Sequence, residues 1–390
     1  MNIIFLTKKI SVGGVAIVSI QLANRMAKEG YNVSVFAFMK NFDQLAYNRI
    51  SPEVKVYFGY GLKNIKKNVS CLKEIFKKEE IDWAVNQWGL RWFNITCIKL
   101  ASRNRSIKVI SFYHNDPNTN SRLIKCENEF VSRHHKVRRL ALAWKLSFIK
   151  ELSAISFRYT YWLSDYFALL SDSYTNNFLD IIRINNRNKT IVIPNPITID
   201  NSGYIYNSQY KEKSIIYIGR LDAIQKRTDR VISVWKELEE KLPDWNLSIV
   251  GDGQSVISLK ETIKHFNLQR ITIEGFQEPS SYYKKASILF LFSEFEGFPL
   301  VLAECMSFGV VPIVLNSFSS VHDIIDSGKD GIVLPYNRSE GFDVSAAANV
   351  VWNLIQDQRK LEMMAKCAIQ KSEKYSEDTI FRLWDSLLNK

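Results

Sequence analysis

Two glutamates, Glu296 and Glu304, stand eight positions apart in the stretch SEFEGFPLVLAECMSFGVVPIV, with a proline between them. A carboxylate accepts hydrogen bonds from two neighbouring hydroxyls at once, which suits a ribose or a hexose. Pro299 fits the first position of a helix, where its missing N–H would have no partner anyway. The helix start around Phe298, Pro299 and Leu300 offers open N–H groups and the positive end of the dipole, and both favour an anion. Gly297 allows close approach to the backbone, and Glu304 falls in the second turn. Spacing alone leaves open an ordinary helix with acids near its start.

Other residues have matching chemistry. In IGRLDAIQKRTDRVI, Arg220 follows directly on an apolar run, and Lys226 comes six positions later, ahead of a helix. An arginine fork and a lysine point charge together suit a diphosphate. Arg227 and Arg230 are expected to be the solvated remainder of that loop. Gly13 and Gly14, in SVGGVAIV, lie between a first strand and a first helix, where bare backbone can approach a phosphate or a sugar. No GxGxxG occurs, which argues against a dinucleotide dehydrogenase; the GDG ending at Gly253 lacks its third glycine. His114 closes the run SFYH, either as a polar strand cap or as a group facing a ligand.

The elements that must hold these residues follow from periodicity. Residues 3–6 read as a buried strand, 15–29 as a helix stopped by Gly30, and YNVSVFAF as the next strand, a βαβ unit of a parallel sheet. Strand runs follow at 81–88, 107–114, 166–171 and 190–195. The pattern restarts at 214–220, with a helix over 227–242 and strand runs at 245–253, 270–276, 286–293, 310–315 and 331–335. Between the halves lies the turn-rich NPITIDNSGYIYNSQYKEKS, read as a linker. The expected fold is α/β, with Rossmann-like domains over 1–197 and 198–376 facing each other across a cleft. A last helix, 377–390, is a candidate to pack back on the first domain. Open sheets of this kind bind ligands at the carboxyl ends of their strands.

Composition bounds the remaining choices. A chain of 390 residues, 46% hydrophobic, suffices for two cored domains. Its formal charge of +12 favours anionic partners. Cys71, Cys97, Cys126, Cys305 and Cys367 are scattered, with no CxxC, which suits a reducing cytoplasm and argues against a disulfide framework or a zinc site. MNIIFLTKKI reads as a strand rather than a secretory signal, and no apolar run reaches the roughly 18 residues of a membrane span. A soluble or peripheral protein is expected.

Taken together, these motifs resemble the GT-B glycosyltransferases, specifically the large retaining group 1, or family 4, type. Closest in wording are the lipopolysaccharide outer-core and capsule hexosyltransferases. The likeness covers nearly the whole chain and is strongest over 214–334. EFEGFPLVLAE looks like the family's Glu-x7-Glu motif, and GRLDAIQK like its diphosphate Arg and Lys. VIPNP (192–196) resembles the segment before the interdomain crossover, and VGDG (250–253) the turn flanking the nucleotide base. The resemblance implies that Arg220 and Lys226 neutralise the departing diphosphate and that Glu304 holds the ribose hydroxyls. By the same implication Glu296, with the N–H groups near Phe298–Leu300, meets the donor sugar. His114 would touch that sugar near the reacting carbon, and Gly14 the diphosphate. Where many relatives have Asn-Gly, this chain has Asn195-Pro196, a change at the hinge and not in the chemistry.

The implied activity is retaining transfer of a hexose from a nucleotide diphosphate sugar to a hydroxyl of a growing surface glycan: lipopolysaccharide, capsule or a lipid-linked oligosaccharide. UDP-galactose, UDP-glucose or an N-acetyl form is the favoured donor, a substrate rather than a cofactor. No two aspartates are separated by one residue, so no Asp-x-Asp metal pair exists, and the leaving charge is expected to fall to Arg220, Lys226 and a helix N-terminus without a metal. Retention rests on the resemblance alone. In segment 121–150, Arg122, Lys125, Arg133, His134, His135, Lys136, Arg138, Arg139, Lys145 and Lys150 interleave with Leu140, Leu142, Trp144, Leu146, Phe148 and Ile149. Such a helix suits the inner face of a membrane, or packs its apolar stripe on the domain. Two other classes are weighed. A sugar-nucleotide epimerase shares the architecture but not the paired GRL…K and EFEGFP motifs. A nucleic-acid-binding protein would suit the charge, yet no helix-turn-helix, zinc-finger or RRM signature appears, so no nucleic-acid partner is expected.

Overall fold

The structure, a computed structural model, describes residues 1–119, 123, 124, 126, 129 and 136–389, with backbone alone at 136–139. It divides into two compact units, Met1–Thr198 with Glu377–Lys390, and Ile199–Ser376.

The first unit runs β1 (Asn2–Thr7), α1 (Gly14–Lys28), β2 (Asn32–Ala37), α2 (Gln44–Tyr47), β3 (Lys55–Phe58), α3 (Ile65–Lys78) and β4 (Trp83–Asn86). It continues through α4 (Trp92–Ala101), β5 (Lys108–Tyr113), α5 (Lys136–Leu163), β6 (Tyr166–Leu169), α6 (Ser173–Ile182) and β7 (Thr190–Val192). Its seven strands are parallel, in the order β3-β2-β1-β4-β5-β6-β7. Ile3, Ile4, Phe5 and Leu6 are wholly buried, as expected of a parallel strand covered on both faces. β3 was not expected. Its short KVYF is a half-exposed edge strand without the apolar run that marks the others.

α5 is apolar on two sides. Phe157 and Tyr161 turn into the unit and meet Phe167 and Phe178. Leu140, Trp144, Phe148, Leu152, Ile155, Tyr159 and Trp162 recur every three or four residues and are all exposed, Trp144 by 73% and Trp162 by 68%. The apolar set expected over 121–150 therefore splits: Leu140, Trp144 and Phe148 face outward, whereas Leu142, Leu146 and Ile149 are half-buried. Of the basic set, Arg122, Lys125, Arg133, His134 and His135 lie outside the described residues, as do the side chains of Lys136, Arg138 and Arg139. No described helix is long and apolar enough to cross a membrane.

The second unit runs β8 (Ser214–Ile218), α7 (Thr228–Leu238), β9 (Asn246–Val250), α8 (Val256–His265), β10 (Ile271–Gly275), α9 (Ser280–Lys285) and β11 (Ile288–Leu291). Then come α10 (Leu300–Ser307), β12 (Val311–Leu315), α11 (Val321–Ile324), β13 (Ile332–Leu334), α12 (Val344–Gln356) and α13 (Gln358–Ser372). Its six parallel strands are ordered β10-β9-β8-β11-β12-β13. The chain then returns to the first unit as α14 (Glu377–Leu388), where Trp384 is buried against Phe112, ring centroids 5.2 Å apart.

Candidate active site

In the second sheet the strand order reverses between β8 and β11. A parallel sheet opens a crevice at the carboxyl ends of the two strands flanking such a reversal. The loop leaving β8 carries Arg220 and Lys226, and the loop leaving β11 carries Glu296 and leads into α10.

Asp222 organises the first loop. One of its carboxylate oxygens accepts the N–H groups of Ile224, Gln225 and Lys226 at 3.1, 2.6 and 3.2 Å. Arg220 pairs with the same carboxylate at 2.8 Å and donates to Gln225 Oε1 at 3.0 Å. Burial pushes Asp222 up, but the Gln225 N–H and the Arg220 side chain outweigh it and hold the group below its ordinary value. Lys226 reaches across to Glu296, Nζ to Oε1 at 2.6 Å, with side chains only 16% and 6% exposed.

The second loop is laced to its surroundings. Glu294 N–H donates to the Gln225 carbonyl at 2.7 Å, Ser317 Oγ to that of Ser293 at 2.7 Å, and Ser320 Oγ to that of Gly297 at 2.9 Å. Glu294 is buried among cations and hydroxyls: Arg230 at 2.5 Å, Arg338 at 2.6 Å and Tyr336 Oη at 2.8 Å. Burial would raise its pKa, yet Arg230, Tyr336 and Arg338 hold it below the ordinary value. Arg230 is therefore no solvated loop residue. It is buried and also donates to the Phe292 carbonyl at 3.0 Å, because a carboxylate 64 positions away needs it.

Pro299 occupies the cap position rather than the first helical one. Its ψ of 110° is extended, and α10 begins at Leu300. The fixed φ of proline serves either position, so only ψ distinguishes them. The start of α10 has no side-chain cap and no acid in its first turn. Phe298 is buried against Tyr375, ring centroids 5.2 Å apart. Glu304 is buried in the second turn, where Tyr283 Oη donates to Oε2 at 3.2 Å. Burial and the Glu304 carboxylate push the Tyr283 phenol well above its ordinary value, so it stays a donor. Beneath it Lys211 donates to the Tyr283 carbonyl at 2.7 Å, and burial lowers that lysine to about 7. Gly253 has an explanation within the fold: a Cβ there would lie 2.2 Å from the Leu221 carbonyl oxygen, since the loops after β8 and β9 cross backbone to backbone.

Gly13, Gly14 and His114 belong to the first unit. Gly13 caps α1, which has no side-chain cap and no acid in its first turn, and Gly14 opens the helix. A Cβ at Gly13 would meet nothing closer than Ser11 Oγ at 3.8 Å, so packing does not require glycine there and the approach to the helix start is open. His114 stacks on Phe112 and its Nε2 lies 2.5 Å from Gln87 Oε1. With that nitrogen donating, buried Nδ1 is a bare acceptor with no hydrogen-bond partner among the described residues. Burial lowers His114 to about 4, so the ring is neutral at neutral pH.

Sequence reasoning missed Asp222, Gln87, Tyr283, Glu294 and Lys211. Only Gln87 and Asp222 carried a signal, lying next to a strand end and within the GRLDAIQK motif. Among the described residues, no group of three or more His, Cys, Asp and Glu side chains is gathered that could hold a metal.

Two parallel-sheet units with this build define the GT-B class, and comparison with known proteins agrees. Residues 12–201 match Glycosyltransferase Family 4, and residues 204–371 match Glycosyl transferases group 1. The chain belongs to this family of GT-B glycosyltransferases. It is 28% identical over 389 residues to an uncharacterized glycosyltransferase of Haemophilus influenzae, covering 97% of both chains. With the amylovoran biosynthesis glycosyltransferase AmsD of Erwinia amylovora it shares 29% identity over 181 residues, 46% of this chain and 49% of that one. The crystal structure of Anabaena HepE in complex with UDP-glucose superposes with a TM-score of 0.73 at 16% identity, over 100% of this chain and 99% of that one.

Proposed function

We propose that this transferase moves a hexose from UDP-galactose, UDP-glucose or an N-acetyl form to a hydroxyl of a growing surface glycan, with retention and without a metal. The observation that carries the reading is the enclosed Lys226–Glu296 pair at the reversal of the second sheet, beside the uncapped start of α10. Breaking a sugar–diphosphate bond builds negative charge on the leaving oxygens. Arg220, Lys226 and the first N–H groups of α10 supply positive potential for it. Glu304 takes the ribose hydroxyls and Glu296 those of the sugar. On the first unit, the bare Nδ1 of His114 offers an acceptor to a sugar hydroxyl, and the Gly13-Gly14 turn leaves the start of α1 open to an anion. The amylovoran relative supports a surface glycan as product, and the UDP-glucose complex of a protein with this fold supports the donor. Retention would come from the leaving phosphate assisting the acceptor hydroxyl on the same face; a β-linked product from an α-linked donor excludes it.

The same reading sets the enzyme on the cytoplasmic face of a membrane, with the outward stripe of α5 in the interface. Trp144, Tyr159 and Trp162 are the amphipathic rings that settle at headgroup depth. Glu151 beside the stripe is paired with Arg183, and Lys145, half-exposed at its edge, with Glu129 at 3.8 Å.

Thermal unfolding with UDP, GDP, ADP and UMP, with and without EDTA, tests the donor site. UDP is expected to raise the midpoint by mass action, with EDTA having no effect and Arg220→Ala abolishing the rise. A response to GDP or ADP alone replaces the donor class, a response lost in EDTA removes metal independence, and no response to any nucleotide removes the reading.

A further inference from the structure

The first sheet has a reversal of its own, between β1 and β4. The strands near it end, in spatial order, at Tyr60 after β3, Lys40 after β2, Lys8 after β1, Trp88 after β4 and His114 after β5. Two aromatic rings on this edge each hold two cations. Lys8 Nζ and the Arg91 guanidinium sit 5.3 and 5.1 Å from the Trp88 ring centre. Lys40 and Lys67 sit 5.3 and 5.7 Å from that of Tyr60. None of the four has a carboxylate within ion-pair reach among the described residues. Of the described acids close after these strands, Asp43 accepts the Leu45 N–H at 2.9 Å and Asp116 the Asn118 N–H at 2.8 Å. α1, α3 and α4, which begin at this edge, bring no acid in their first turns.

Among the described residues these four cations have no counter-charge, and a ring face compensates little, about 0.5–1 kcal/mol at an exposed site. What the rings do provide is position. Each aromatic surface fixes the aliphatic stem and leaves the charged head toward solvent. Lys8 and Arg91 are thus held at the reversal, where a parallel sheet binds its ligand, and Lys40 and Lys67 on the same edge beyond it.

We propose that this edge binds an acceptor bearing an acidic group, a carboxylate or a phosphate, on or next to the sugar that receives the hexose. The inference rests on the transferase reading in taking the ligand to be the acceptor. The aromatic edges flank the sugar, Lys8 with Arg91 and Lys40 with Lys67 meet its charge, and a neutral glycan leaves all four cations uncompensated.

Saturation-transfer NMR on the full chain tests this with methyl glucoside, methyl glucuronide and glucose 6-phosphate. At least one anionic sugar is expected to bind about tenfold or more tightly than the neutral one. That advantage should shrink with salt and vanish in Lys8→Gln/Arg91→Gln and in Lys40→Gln/Lys67→Gln. Preference for the glucuronide identifies an acidic sugar as the source of the charge, and preference for the phosphate a phosphorylated sugar or a lipid phosphate. Equal binding of all three, binding of none, or an advantage that survives both double variants overturns the proposal. The midpoint rise with UDP, read on the same samples, reports on the donor site separately. If UDP binds and the anions do not, only the acidic acceptor falls. If the anions bind and UDP does not, only the donor reading falls.

Discussion

Lys226 and Glu296 neutralise each other in an enclosed position, so removing either leaves a charge without its partner. Breaking such a pair costs about 3–5 kcal/mol, whereas removing both charges together costs far less. Lys226→Met should therefore lower stability and also lose the response to UDP, and the double variant Lys226→Met/Glu296→Gln should recover stability without recovering that response. Urea unfolding beside UDP titration checks both; a double variant that still binds UDP would show that the pair serves the fold alone. His114 gives a second prediction. Its folded value of about 4 lies below the ordinary 6.5, so between those pH values the unfolded chain binds the extra proton. The stability it contributes is thus present above pH 6.5 and declines as pH falls toward 4. Urea midpoints across that window should fall less steeply for His114→Gln than for wild type, and parallel slopes would contradict the assignment.

At the scale of elements, α5 carries the exposed apolar surface most in need of a partner. Its stripe from Leu140 to Trp162 runs about 33 Å at 1.5 Å per residue, long enough to lie along a bilayer surface. Trp144→Ser/Trp162→Ser should cut co-sedimentation with vesicles containing anionic lipid about tenfold or more, each tryptophan contributing on the order of 1–2 kcal/mol of burial. Unchanged sedimentation, or a shift in oligomeric state instead, would point to a protein partner on this face. How legible the elements are in sequence follows from their burial. Strands such as β1 and β8, covered on both faces, read as unbroken apolar runs, while half-exposed β3 escapes notice. Within the site, Arg220, Lys226, Glu296 and Glu304 are legible because each lies in a short local motif. Arg230 is not, since the Glu294 that draws it inward is 64 positions away. Gly253 misleads in the other direction, because a backbone crossing and a nucleotide turn both ask for glycine.

At the scale of the whole chain, the last helix completes the first unit. Arg25 in α1 pairs with Asp378 at 2.5 Å and Glu377 at 3.3 Å, and Trp384 lies between Phe112 and Phe5, ring centroids 5.2 and 6.0 Å away. Trp384→Ala should destabilise the first unit by about 3–5 kcal/mol and leave the unfolding of the second in place, seen as two transitions in calorimetry where the lower one moves. A single transition that shifts as one would show that the units do not melt separately.

This return of α14 also orders events on the ribosome. Everything the first unit needs except one helix has emerged by Thr198, but that helix begins only at Glu377. At roughly 5–20 residues per second, the gap between them lasts about 10–40 s. Through that interval the second unit is being made and can close by itself, while the first waits with the place of Trp384 open to water and to chaperones. The unit begun first is thus completed after the second, and a chain cut at Ser376 carries a complete second unit and an unfinished first.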